Sequence, residues 1–199
     1  MPPRVIVLNG PVGVGKTTLL NELKQALPNC FVVYEYIDIL DDAETKLKLY
    51  LEGSITAVDF QDCILDYYEL VAKKLKDSNY DYILVERSPV EGIVFFAKLD
   101  LLNHRLTQAQ YDYLFQRAQS LNFYPNSLTD NAITISTEYI PPNQLTQLII
   151  TMLSDFDIGI IKLRASLPTL KQRIQQRGRL CEIEHYTDNY LKTMIQAYL

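Results

Sequence analysis

Apolar positions along the chain follow two rhythms. Residues 4–8 form a short β-branched apolar run without polar alternation, the pattern of a strand buried on both faces of a parallel sheet. Leu19, Leu20, Leu23 and Leu27 then recur at helical spacing. The buried-strand pattern returns at 31–34, at 82–85 and, after a long interval, at 158–163, and the periodicity predicts helices near 42–51 and 57–76. Strands alternating with helices predict an α/β fold with a doubly wound parallel sheet. Residues 123–142 are rich in Pro, Asn, Ser and Thr and read as an irregular excursion carrying a small strand at 133–136. A helix with Leu170 and Ile174 follows Pro168, and a last helical stretch runs from about Tyr186 to Tyr198. No repeat or linker interrupts this order, so a single domain over 1–199 is expected.

Composition narrows the partners. The chain is 48% apolar and 22% charged, as an ordinary globular domain is, and 19 Lys and Arg against 24 Asp and Glu leave a formal charge of −5. Nothing in that balance calls for nucleic acid or an anionic membrane, so any anion must be gripped locally. Cys30, Cys63 and Cys181 are odd in number and lack a C-x-x-C pattern, which fits a reducing compartment and neither a disulfide framework nor a zinc site. The start shows no basic-then-apolar leader, and no apolar run approaches the ~18 residues of a membrane span. A cytoplasmic protein is expected, with nucleus and organelle left open.

The loop between the first strand and the first helix supplies the local grip. In Gly10-Pro11-Val12-Gly13-Val14-Gly15-Lys16-Thr17, glycines permit the positive-φ turns that aim backbone N–H groups inward, and the helix that follows points its positive end at the same place. This is a complete P-loop, with Gly10, Gly13, Val14, Gly15, Lys16, Thr17 and Thr18 as its ATP-binding set. Lys16 is placed to reach the β- and γ-phosphates, and Thr17 to ligate Mg²⁺. Ligands of open α/β sheets bind at the carboxyl ends of strands. At the end of the third strand, Leu84-Val85-Glu86-Arg87-Ser88-Pro89 turns abruptly from apolar to charged. Glu86 there suits the metal and Arg87 the transferred phosphate; a solvated strand end fits the same residues. Arg173, Arg177, Arg179 and Glu182, with Gly178 as a hinge, read as a phosphate-clamping lid at 173–184 or, as a bare pattern, as a solvated basic helix.

Taken in order, these motifs resemble the deoxynucleoside kinase family, including thymidine kinases of herpesvirus type, over nearly the whole chain. The matching landmarks are the P-loop at 10–17, Glu35 after the second strand, Tyr50, Phe60-Gln61, Glu86-Arg87-Ser88, and the Arg-rich stretch 173–182. The resemblance implies a P-loop kinase fold of four or five parallel strands flanked by helices with an Arg-rich lid. It implies transfer of the ATP γ-phosphate to the 5′-hydroxyl of a deoxynucleoside, and a homodimer. It also implies Glu35 as the general base, Arg87 as the residue holding that Glu and the 5′-oxygen, and Tyr50 with Glu182 at the sugar 3′-hydroxyl. Gln61 would read the base edge from a helical face shared with Ile64 and Tyr68, Gly92 would select the substrate, and Phe96, four residues on along the same helix, would stack on the base. Relatives acting on deoxycytidine and deoxyguanosine carry an Arg and an Asp where this chain has Tyr68 and Gly92, which tilts the expectation toward thymidine or another pyrimidine. The family's proline after the Glu is Tyr36 here, and an aromatic expected five residues on is Leu40. Relatives also have a further strand after the helix following the lid, whereas this sequence reaches Leu199 in that helix; the sheet is expected to hold four strands or to gain a fifth from 123–142.

Three other readings compete. A nucleoside monophosphate kinase, such as a thymidylate kinase, needs extra cations for the acceptor's phosphate, yet residues 36–44 carry Asp38, Asp41, Asp42 and Glu44. A non-enzymatic nucleotide-binding module leaves Gln61, Tyr50 and the lid without a task. A degenerate kinase serving as a scaffold is disfavoured because no motif position holds a dead substitution. The apolar helical faces at 57–76 and 107–121 suit a dimer contact or the core equally.

Overall fold

The computed structural model describes residues 3–121, 132–138, 140–156 and 158–198. In chain order the elements are β1 (Arg4–Asn9), α1 (Lys16–Ala26), β2 (Cys30–Val33), a 3₁₀ turn (Tyr36–Asp38), α2 (Ala43–Leu51), α3 (Ala57–Leu75), β3 (Tyr82–Glu86), α4 (Pro89–Gly92), a π-helical segment (Ile93–Ala97), α5 (Lys98–Leu102), α6 (Gln108–Ser120), β4 (Ala132–Ser136), α7 (Pro142–Asp155), β5 (Ile160–Arg164), α8 (Leu167–Arg177), α9 (Leu180–His185) and α10 (Asp188–Ala197). Within the excursion expected at 123–142, residues 123–131 and 139 lie outside the described residues. The chain divides into two compact units, one drawn from Met1–Val33, Asn79–Glu86 and Tyr124–Leu199, the other from Tyr34–Ser78 and Arg87–Phe123.

The first unit holds a parallel sheet in the order β2-β3-β1-β5-β4, all five strands running the same way. The fifth strand is β4, which comes from the Pro- and Asn-rich segment. Its register, Ala132 beside Ile160 through Ser136 beside Arg164, places it on the β5 edge. Ile6, Leu8, Leu84, Ile161 and Leu163 are fully buried, which is why their strands read as unbroken apolar runs. Leu19, Leu20 and Leu23 bury the inner stripe of α1, each worth ~1.5–3 kcal/mol. Helix α7 has no counterpart in the sequence-based expectation. Pro142 opens it at the first helical position, Leu145, Ile149 and Leu153 form its buried stripe, and it packs on α1. The Thr146 hydroxyl donates to Glu22 across that contact at 2.6 Å.

The second unit is built around α3 and α6. Ala57, Leu65, Ile93, Ala97, Leu106, Leu114 and Ala118 form its core, to which the apolar faces at 57–76 and 107–121 contribute Ala57 and Leu65, and Leu114 and Ala118. Both helices start from sequence signals: Thr56 accepts the Asp59 N–H, and Thr107 with Gln110 makes a reciprocal capping box. Arg117 of α6 reaches Asp62 at 2.7 Å and Glu69 at 3.3 Å on α3, and also pairs with Asp66. The helical run from α4 to α5 is not uniform. It widens to π geometry at Ile93–Ala97, so Gly92 and Phe96 do not share one regular α-helical face as their four-residue spacing predicts. Among the described residues no helix is long and apolar enough to cross a membrane.

Candidate active site

In the first unit, β1 lies between β3 and β5, with Leu8 in register with Glu86 and Asn9 with Lys162. The loop leaving β1 uses glycines where a side chain has no room. At Gly10 a Cβ would meet the Leu163 carbonyl at 2.7 Å, and Gly15 caps α1 in the left-handed region, at φ +103°. Val14 is fully buried. Lys16 is 4% exposed and its Nζ donates to the carbonyls of Gly10 and Pro11 at 3.3 and 3.4 Å, so the ammonium sits over its own loop. The Thr17 hydroxyl donates to the Glu86 carboxylate, 2.9 and 3.1 Å from its two oxygens, while Thr18 is exposed one position on.

Arg173 turns to this loop. Its Nη1 donates to the Val14 carbonyl and to Thr137 Oγ1, each at 2.9 Å, and its Nη2 donates to the Thr137 carbonyl at 2.9 Å. Thr137 closes the triangle by donating its hydroxyl to Val14 O at 2.9 Å. The end of β4 therefore clasps the loop backbone, a role no sequence pattern at Thr137 announces. Gly178 ends α8 at φ +78°, and the arginines on either side of it, Arg177 and Arg179, both engage Glu182, the latter at 3.4 Å. Glu182 is 2% exposed, so these cations offset a buried charge.

In the second unit, Glu35 precedes the 3₁₀ turn with its side chain 24% exposed, and Arg87 Nη1 donates to it. The Arg87 side chain is itself 5% exposed. Its Nε lies 3.8 Å from Glu91 Oε1, and its guanidinium stacks over the Phe96 ring at 4.7 Å. Arg87 has φ +56°, a left-handed conformation that costs a non-glycine residue about 1–3 kcal/mol and persists only where neighbours enforce it. Two of those neighbours are visible: Tyr68 donates its hydroxyl to the Arg87 carbonyl, and Ser88 caps the next helix by accepting the Glu91 N–H at 3.2 Å. Tyr67 does the same for the other strand end, donating to the Tyr34 carbonyl at 2.9 Å. Consecutive tyrosines of α3 thus hold the backbone beside Glu35 and at Arg87. Burial, and then the charge of Glu35, push the Tyr68 phenol well above the ordinary tyrosine range, so it stays protonated and remains a donor.

Tyr68→Phe is expected to cost about 1–3 kcal/mol, because a buried carbonyl at a strained residue loses its donor. A urea-unfolding midpoint reads this directly.

Gln61 is 2% exposed on α3 beside buried Phe60, with Ile64 half-buried one turn on. Tyr50 stacks on Phe60 at 4.5 Å and gives its hydroxyl to Asp100. A Cβ on Gly92 would meet nothing within 4 Å, so this position opens onto free space. Sequence reasoning missed Tyr67, Glu91, Asp100 and Thr137. The buried Tyr67-Tyr68 pair carried a signal, since hydroxyls inside an apolar stripe demand partners.

The arrangement in the first unit suits a polyphosphate with a hard cation, and that in the second suits a hydroxyl acceptor beside an oriented carboxylate. Comparison with known proteins agrees. Residues 6–139 match the family model described as deoxynucleoside kinase. Among solved structures, the deoxyadenosine kinase from M. mycoides with bound dATP is similar at TM-score 0.61 and 20% identity, over 97% of this chain and 81% of that one. The same kinase with bound dCTP gives TM-score 0.60 and 19% identity over 97% and 80%. At such identities the likeness speaks for the fold. No curated protein matches the sequence. The family match spans most of the chain and agrees with the sheet order and the P-loop: the chain belongs to the deoxynucleoside kinase family of ATP-dependent phosphotransferases.

Proposed function

We propose that this kinase phosphorylates the 5′-hydroxyl of thymidine or another pyrimidine deoxynucleoside, with Glu35 as general base. The observation that carries this reading is the Glu35 carboxylate, partly exposed and held by a buried arginine, since a base must be fixed in orientation and still reach its substrate. Glu35 takes the proton of the 5′-hydroxyl as that oxygen bonds to the γ-phosphorus; the bond from γ-phosphorus to the bridging oxygen breaks, and ADP departs with that electron pair. Arg87 stabilises the charge on the transferring group, and the P-loop amides with Lys16 hold the β- and γ-phosphates. Thr17 and Glu86 bring a hydroxyl and a carboxylate within 2.9 Å of each other, oxygen donors that suit Mg²⁺. When bound there, Mg²⁺ neutralises phosphate charge. Arg177 and Arg179 add cations to the phosphates, Arg173 braces the loop, and Tyr50 with Glu182 meets the sugar 3′-hydroxyl.

Gln61 reads the base, because one carboxamide donates and accepts at once. Beside it, Tyr68 and Gly92 supply no charged pair, which favours thymine over bases read by an Arg and an Asp. The likeness to deoxyadenosine kinases favours a second reading, in which the same carboxamide pairs with adenine. Steady-state transfer from ATP-Mg²⁺ to thymidine, deoxycytidine, deoxyadenosine and deoxyguanosine separates them: highest kcat/KM on thymidine or deoxycytidine supports the first reading, and highest on deoxyadenosine replaces it with the second. Gly92→Ala is expected to fold normally, gaining about 0.5–1 kcal/mol as glycine leaves a helix, while shifting the ratio of kcat/KM between bases. Thermal unfolding and the same four-nucleoside panel check both halves.

Both units belong in this reading to one kinase domain over 1–199, with residues 173–184 as its lid, and the family resemblance carries a homodimer into it, testable by sedimentation. Cys30 and Cys63 are free thiols, and we place the protein in a reducing compartment, the cytoplasm first.

A further inference from the structure

Asp100 belongs to none of the sequence motifs, yet α5 carries it at 2% exposure. A carboxylate so buried is costly unless its oxygens are matched by donors and charge. Here the donor is Tyr50, whose hydroxyl lies 2.9 and 2.8 Å from the two Asp100 oxygens. The charge is Arg105, whose Nη1 is 3.5 Å from Asp100 Oδ1. The same Arg105 donates through Nη2 to the Tyr50 carbonyl at 2.8 Å and lies 4.3 Å over the Tyr50 ring. The Arg105 N–H in turn donates to the Asp100 carbonyl at 2.8 Å, tying the turn after α5 to the same residue. Tyr50 is therefore gripped at its hydroxyl, its ring and its backbone by two residues that sequence inspection does not connect to it.

We propose that Asp100 is a positioning residue that makes Tyr50 an obligate hydrogen-bond acceptor toward the 3′-substituent of the sugar. The inference rests on the reading of Tyr50 as the 3′-hydroxyl contact. Burial raises the Asp100 carboxyl above the ordinary aspartate range, while the Tyr50 hydroxyl and the Arg105 charge favour its ionised form. A phenol has one proton, and an ionised carboxylate has none to offer. The proton goes to Asp100, and the Tyr50 oxygen faces substrate with lone pairs alone, made more negative by the charged acceptor behind it. Such an oxygen receives a hydrogen bond from a 3′-hydroxyl. Toward a 3′-fluoro group, which can only accept, it is repulsive. Asp100 thereby converts a contact of either polarity into one that selects a 3′-donor.

The test is the ratio of kcat/KM for thymidine to that for 3′-deoxy-3′-fluorothymidine, or the matched pair for whichever base the panel selects, measured in wild type, Tyr50→Phe, Asp100→Asn and Arg105→Gln. In Asp100→Asn the amide can donate to the phenol and free its proton for the fluoro analogue, so the ratio is expected to fall about tenfold, the effect of one charge-assisted hydrogen bond. Arg105→Gln changes a partly exposed side chain that folding tolerates, and is expected to lower the ratio about threefold; it carries the test if Asp100→Asn does not fold. Tyr50→Phe should lower the ratio at least as far as Asp100→Asn does, leaving the part that the Glu182 carboxylate contributes. A ratio that falls in Tyr50→Phe but stays at the wild-type value in Asp100→Asn, or in Arg105→Gln where Asp100→Asn does not fold, overturns the role of Asp100 while keeping Tyr50 at the sugar. A ratio unchanged in Tyr50→Phe itself shows instead that the 3′-contact reading fails, and the inference falls with it.

Discussion

Glu35→Gln is expected to lower kcat about 10²–10⁴-fold, with the KM for ATP near its wild-type value. The substitution keeps the side chain's size and an oxygen for Arg87 to donate to, and removes the proton affinity that the attacking hydroxyl needs. Arg87 stays anchored by Glu91 and by its stack on Phe96, so the site's frame survives the change. Steady-state kinetics on the best nucleoside, with an unfolding midpoint measured beside it, separates chemistry from folding. A loss of a few-fold would make Glu35 a binding residue.

Arg87→Met is expected to be the most damaging single change to stability, about 3–5 kcal/mol, because it removes one partner from a buried ion pair and leaves the other behind. Glu91 has a side chain 1% exposed, so losing the Arg87 guanidinium removes a cation 3.8 Å from a buried carboxyl group, and Glu35 loses that donor as well. The double variant Arg87→Met/Glu91→Gln should recover part of the loss, since the cost lies in the uncompensated charge more than in the missing cation. Urea unfolding of the two single variants and the double variant reads the coupling. Independent, additive losses would mean that the 3.8 Å pair contributes little.

These residues show what was legible in the sequence. The P-loop and the Glu86-Arg87-Ser88 turn were visible because each follows a buried strand, where a polar residue breaks the pattern. Glu35 follows the half-buried β2 and stood out only through the family resemblance. The small strand β4 was visible as an apolar stretch inside a polar segment. Helix α7 was not, because Pro141-Pro142 and the polar residues before it mask a regular stripe of Leu145, Ile149 and Leu153; proline at the first helical position starts a helix instead of preventing one. The π segment at Ile93–Ala97 is invisible to a 3.6-residue period, since one widened turn leaves the composition unchanged. Tyr67 and Asp100 were hidden for a different reason. Their partners lie 33 and 50 positions away, at Tyr34 and Tyr50, and no local spacing announces a buried polar contact made by the fold.

The measurement that bears most directly on the central claim is transfer of the ATP γ-phosphate, with Mg²⁺, to thymidine and to thymidine monophosphate side by side. The account predicts turnover of a nucleoside, if not thymidine then its preferred counterpart from the panel, and no measurable turnover of the monophosphate. Activity confined to the monophosphate would contradict it, because the 5′-oxygen that Glu35 is proposed to deprotonate is already esterified in that acceptor.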